Sequence, residues 1–131
     1  MKYLLDTGVL IHNLIAQSKL NRRALELLAD NSSELYLSAA SSWEITLKAG
    51  TGKLALPERP SEFVIRAIRL MSLQPLDITH SHVAALERLP NYHRDPFDRM
   101  LIAQARAEGL VLLTADHNFE KYPVKTFWCG T

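Results

Sequence analysis

Apolar positions along the chain follow two periods, and each change of period marks an element. Five short apolar runs have strand length: KYLLD (2–6), ELYLS (34–38), LQPLDI (73–78), LVLLT (110–114) and VKTFW (124–128). LVLLT is the strongest of them, and VKTFW is read as a last, edge strand. Between these runs the spacing turns helical. In LNRRALELLAD, Leu20, Ala24, Leu27 and Leu28 share one face, and AASSWEITLKAG is a helix closed by Gly50. SEFVIRAIRLM carries a stripe of Phe63, Val64, Ala67, Ile68 and Met71 that leaves Arg66 and Arg69 outside it. SHVAALERL is a short helix stopped by Pro90. The last helix begins at Asp95, with Pro96 in its first position, and ends at Gly109. Strands alternating with helices predict an α/β fold with a mainly parallel sheet.

Such a sheet has a polarity that places residues without any coordinates. Its strands end, and the following helices begin, at one edge, and ligands collect in the crevice outside that edge. Asp6 ends the first strand, Glu44 lies about one turn into the helix after LYLS, Asp98 is in the first turn of its helix, and Asp116 follows LVLLTA directly. All four are therefore expected at the same edge. Asp98 also lies three, four and seven residues before Leu101, Ile102 and Ala105, which puts a carboxylate on the core-facing stripe of its helix.

Each acid has an ordinary structural role available. Asp6 can cap the helix that follows it, Asp95 is placed to cap its own helix, and Glu44 can pair with Lys48 at i+4. Asp98 suits the positive end of a helix dipole, and Asp116 suits the turn TADHN. Together, however, several carboxylates near a core repel one another, and no lysine or arginine neighbours Asp6 or Asp116 in sequence. A divalent cation relieves that repulsion, and an all-oxygen donor set selects Mg²⁺ or Mn²⁺ over zinc. The histidines offer no rival site, because His80 and His82 do not share a helix face.

Composition narrows the class. The 131 residues are read as one domain spanning 1–131, with 47% hydrophobic and 22% charged residues, values normal for a globular chain. Net charge is +1, so a nucleic-acid partner has to be met by a local patch. The only cysteine, Cys129, allows no internal disulfide, which fits a reducing, cytoplasmic setting. The start, MKYLLDTGVLI, is interrupted by Asp6 and lacks a cleavage site, so it is not read as a secretion signal. No apolar stretch is long enough to cross a membrane.

LLDTGVLI, SSWEITLK, DPFDRMLIAQA and LLTADHNFEKY, in that order and spacing, resemble the PIN-domain ribonucleases, and in particular the toxin subunits of VapBC-type toxin–antitoxin pairs. The resemblance covers the whole chain. It implies a three-layer α/β/α sandwich with about five strands, a homodimer, an RNA substrate and a small antitoxin partner whose C-terminal segment lies across the site. It places an acidic, catalytic metal site on Asp6, Glu44, Asp98 and Asp116, with Mg²⁺ or Mn²⁺ as cofactor. Thr114 matches a supporting hydroxyl residue, and Thr7 and Asp95 are taken as supporting residues, Asp95 through an outer water or as a helix cap. Arg94, Arg99, Lys48 and Lys53 lie near these acids in sequence and are candidates for RNA phosphates, or equally for solvated surface charge.

Two other readings use the same edge. A phosphotransfer or phosphatase-type α/β domain needs paired acids after the first strand, whereas Asp6 is followed by Thr7 and Gly8. A non-catalytic partner-binding module would keep the fold without cleavage. HRDPFDRM (93–100) resembles a kinase catalytic loop, but the chain has no room for a kinase and no glycine-rich phosphate loop. GTGK at 50–53 is not a P-loop, since no glycine stands five positions before Gly52.

Overall fold

A computed structural model describes residues 1–92 and 94–131. The elements run in the order β1 (Lys2–Leu5), α1 (Thr7–Ile15), α2 (Arg22–Ala29), β2 (Glu34–Ser38), α3 (Ala39–Gly50), α4 (Pro60–Met71), β3 (Gln74–Leu76), α5 (His80–Ala85), α6 (Pro96–Glu108), β4 (Val111–Thr114) and β5 (Thr126–Trp128), with single 3₁₀ turns at Gln17–Lys19, Leu86–Arg88 and His117–Lys121. All five strands pair in parallel, in the order β3-β2-β1-β4-β5. The chain builds outward from β1 to β3 and then returns to the other side of β1. The gap beyond β1 and β4 is thus the switch point where an open parallel sheet leaves a crevice.

Period-two alternation sorts the strands onto two cores. Leu5 pairs with Leu113, and both face the helices α1, α2 and α4 together with Leu35, Leu37, Phe63 and Ala67. Leu4 pairs with Tyr36 and with Leu112, and these face α6 with its Leu101, Ile102 and Ala105. This is the expected three-layer α/β/α sandwich. α3 serves both layers, with Ala40 in one core and Ile45 in the other. It therefore passes over the strand ends, which carries Glu44 to the crevice.

Helix ends follow local chemistry. Asp95 accepts from the backbone N–H groups of Phe97 and Asp98, and Pro96 occupies the first turn of α6. Gly109 closes that helix in the left-handed region, at φ 67°, where a side chain would be strained. The strands read at 73–78 and 124–128 shorten to Gln74–Leu76 and Thr126–Trp128, and two helices also differ from the periodicity. α2 starts at Arg22, because Asn21 caps it through the Ala24 N–H, and Leu20 instead bridges to Gly130. α5 ends at Ala85, and its last turn tightens to 3₁₀ before Pro90. Among the described residues no helix is long and apolar enough to cross a membrane.

Candidate active site

The crevice at the β1/β4 switch is a cleft of about 600 Å³. Asp6, Glu44, Asp95, Asp98 and Asp116 all line it, with Thr7, Lys48 and Lys53. Four different stretches thus supply carboxylates to one hollow, for the reason parallel strands require: each stretch is a strand end or a helix start.

Three of these acids, Asp6, Glu44 and Asp98, are out of water and near others of their kind. Burial, and then the charges of Glu44 and Asp116, push Asp6 up to about 7, against the opposing hydrogen bond from Thr114. Burial, followed by the charges of Asp6, Asp95, Glu44 and Asp116, pushes Asp98 up to about 8. Glu44 is 5% exposed; its Oε2 is paired with Lys48, while its Oε1 is buried without a partner. That orphan oxygen lies in an acidic cleft and costs on the order of 1–3 kcal/mol unless a cation or donor meets it. Pairing with Glu44, reinforced by Asp95 and Asp98, raises the Lys48 ammonium in turn.

Hydroxyl groups hold this arrangement in place. Thr114 Oγ1 donates to Asp6 Oδ2 at 3.0 Å and accepts from the Asp116 N–H at 3.0 Å, so one side chain at the end of β4 positions both acids. The backbone carbonyl of Thr114 accepts from the Cys129 N–H at 2.8 Å, which extends the β4–β5 pairing behind it. Thr7 Oγ1 donates to Ser41 Oγ at 2.9 Å and ties α1 to α3. The Asp116 side chain accepts from the Asn118 N–H, the turn role its sequence suggested.

Asp6 stands at the N-cap position of α1, where the Gly8 N–H acts on its carboxyl, and Thr114 takes its Oδ2. Some of the expected residues serve elsewhere than in the cleft. Arg99 does not face the cleft. Its guanidinium donates to the carbonyls of Pro90 at 2.8 Å and Leu86 at 3.3 Å, and so fastens the approach to α6. Arg94 is exposed and outside the cleft lining. His93, the first residue of the HRDPFDRM stretch, lies outside the described residues. Sequence reasoning also passed over His12, Gly8, Ile11 and Asn118, which line the cleft. The available signal was periodicity on α1, where Gly8, Ile11 and His12 are three and four residues apart.

The donors present are oxygen atoms, with an orphaned carboxylate oxygen among them, and this chemistry fits a hard divalent cation. Among the described residues no three His, Cys, Asp or Glu side chains form a ready metal cage. The fit therefore lies in donor type and charge.

A family model, PIN domain, matches residues 3–125. Over 58 residues the chain is 36% identical to Ribonuclease VapC16 of Mycobacterium tuberculosis; the match covers 44% of this chain and 41% of that protein, about two-fifths of the relative's length. A chain of VapBC2 from Rickettsia felis, solved bound to a DNA fragment from its promoter, superposes with a TM-score of 0.71 at 20% identity, covering 97% of this chain and 98% of that one. DNA-bound VapBC from Salmonella typhimurium gives 0.70 at 20% identity, with 97% of each chain covered. FitAcB from Neisseria gonorrhoeae gives 0.66 at 24% identity, covering 97% and 96%. At these identities the structural likeness speaks for the fold. The matched span holds every acid of the cleft and all but the last strand, and the chain belongs to the PIN-domain family.

Proposed function

We propose that this chain is a divalent-metal-dependent endoribonuclease, acting in the cytoplasm as a homodimeric toxin held in check by a small antitoxin. One observation carries the reading: carboxylates from four separate stretches share one cleft, two of them shifted to about 7 and about 8, with the orphaned Glu44 oxygen between them in chain order. The partial identity to a ribonuclease supports the chemistry, and the VapBC neighbours support the setting.

Asp6, Glu44, Asp98 and Asp116 would hold Mg²⁺ or Mn²⁺. Such an ion, once bound, makes water a better nucleophile and neutralises charge on a phosphodiester. The chain's own groups prepare for this. Thr114 fixes Asp6 and Asp116, Lys48 fixes one oxygen of Glu44, and Asp95 fixes the start of α6 and so the height of Asp98. Lys53 lines the cleft and supplies positive charge for a phosphate. Asp6 and Asp98 keep protons at their carboxyl oxygens up to near neutral pH, so cation loading competes with protonation and strengthens as pH rises.

The test is cleavage of single-stranded RNA by purified protein. Cleavage is expected with Mg²⁺ or Mn²⁺, stopped by a chelator, and reduced at least about a hundredfold in Asp6→Asn and Asp98→Asn, since such ligands act as a unit. Full cleavage by metal-depleted protein would overturn the reading, and covalent labelling by a small phosphodonor would favour a phosphotransfer domain instead. In cells, the wild-type chain expressed alone should arrest growth, and Asp98→Asn should not.

A further inference from the structure

Trp43 is 61% exposed on α3, and Leu47, one turn on, is 48% exposed. Trp is a highly buried residue type on average. Trp43 is nevertheless held: its ring meets that of Phe97 of α6 in a T-shaped contact, with centroids 5.0 Å apart and planes at 84°. The contact joins the two helices that carry Glu44 and Asp98, at the residue immediately before each acid. Neither ring lines the acidic cleft, but each is next in sequence to an acid that does.

We propose that Trp43 is a stacking platform for one nucleobase of single-stranded RNA whose adjoining phosphate enters the acidic cleft; this rests on the ribonuclease reading and adds to it a residue that positions the strand. Stacking on an aromatic face serves every base and needs no hydrogen-bond code. The T-shaped contact fixes the ring in advance, so little side-chain freedom is lost when a base arrives. Lys53 lines the same cleft and supplies a cation for the adjoining phosphate, Lys48 being already paired with Glu44. Only two large apolar side chains of α3 are exposed, a fraction of the area that a stable protein interface buries.

The experiment measures binding of a fluorescein-labelled 12-nucleotide single-stranded RNA to the Asp98→Asn protein in Mg²⁺, by anisotropy, with sedimentation run in parallel. Trp43→Ala should weaken binding by about tenfold, and Trp43→Phe by much less, because a ring remains. A scan of single abasic sites along the RNA, on protein that keeps Trp43, should find one position that costs about the same factor. With that abasic RNA, Trp43→Ala should add no further loss. If Trp43→Ala fails to fold, the abasic scan and Trp43→Phe decide alone. Unchanged binding in Trp43→Ala, or an abasic scan without a sensitive position, overturns the proposal while RNA binding by the parent leaves the ribonuclease reading standing. A switch from dimer to monomer in Trp43→Ala, with equal loss on intact and abasic RNA, assigns the patch to a second copy of the chain instead. If neither this parent nor the wild-type protein with Ca²⁺ in place of Mg²⁺ binds the RNA, both readings fail.

Discussion

Glu44 shows how one residue can satisfy two readings. Its Oε2 makes the surface-type i+4 pair with Lys48, and its Oε1 is left buried and unpartnered in the cleft. Asp98 carries the same tension further. It takes part in the first turn of α6, where the helix dipole favours an acid, yet burial and four other carboxylates push it up to about 8. Above that value its charge strains the cation-free fold. Asp98→Asn removes the charge and nearly keeps the shape, so it should stabilise the metal-free protein at pH 8 by at least about 1 kcal/mol, against the usual trend for point mutants. Saturating Mn²⁺ should reverse the ranking, because the ion binds the native wild type more tightly than the variant. Four melting curves settle it. If Asp98→Asn melts lower than wild type in the absence of metal, by a margin that Mn²⁺ does not change, Asp98 serves its helix and not a cation.

Among the elements, β5 is short and lies at the sheet edge, yet Thr114 relies on it through the Cys129 N–H. A three-residue edge strand is weak by itself. Asn21 supplies the clamp. Its side chain caps α2 at the Ala24 N–H and donates to the carbonyls of Trp128 at 3.0 Å and Gly130 at 2.9 Å, and its own N–H donates to Cys129. Asn21→Ala removes a cap and leaves two carbonyls unmatched, and should cost about 2–3 kcal/mol in urea unfolding. The loss should be larger than for Asp95→Ala, which removes the α6 cap and also one of the crowded charges of the cleft, expected at no more than about 1 kcal/mol. Equal costs would mean that the C-terminal strand is held by its sheet pairing alone. Cys129 itself is buried in the core, its thiol pushed up to about 12 by burial, so it packs and does not react.

At the scale of the whole molecule, an acid cluster at the switch point makes folding stability depend on pH. Asp6 and Asp98 have folded values of about 7 and about 8 against an ordinary 3.8. Between about pH 4 and pH 8 the native state holds protons that the unfolded chain releases. Stability therefore falls as pH rises through this window, by up to about 1.4 kcal/mol per pH unit for each proton retained, and levels off above it. The metal-free protein should thus melt higher at pH 5.5 than at pH 8, and saturating Mn²⁺ should flatten or invert that slope. A cation-free melting temperature that rises steadily from pH 5.5 to 8 would show that these acids are not crowded in solution.

What the amino-acid sequence determined by itself was whatever depends on local period and chain polarity. Period two and period 3.6 are set within a few residues, so five strands, the stripes of α2 and α4 and the Asp95 and Gly109 boundaries of α6 were legible, while α1 was given no stripe. The arrival of Asp6, Glu44, Asp98 and Asp116 at one edge was legible too, because parallel strands with right-handed crossovers leave their ends on a single side. Tertiary structure alone decided what each side chain does there. Thr114 and Asp6 are 108 residues apart, and Thr7 and Ser41 are 34 apart, so no local pattern encodes their hydrogen bonds. Arg99 turned from the cleft to the carbonyls of Leu86 and Pro90 because that loop folds back over α6, a closure no spacing foretells. The spacing of α3 gave no role to Trp43, and only the packing of α3 against α6 left its indole in water, braced on Phe97.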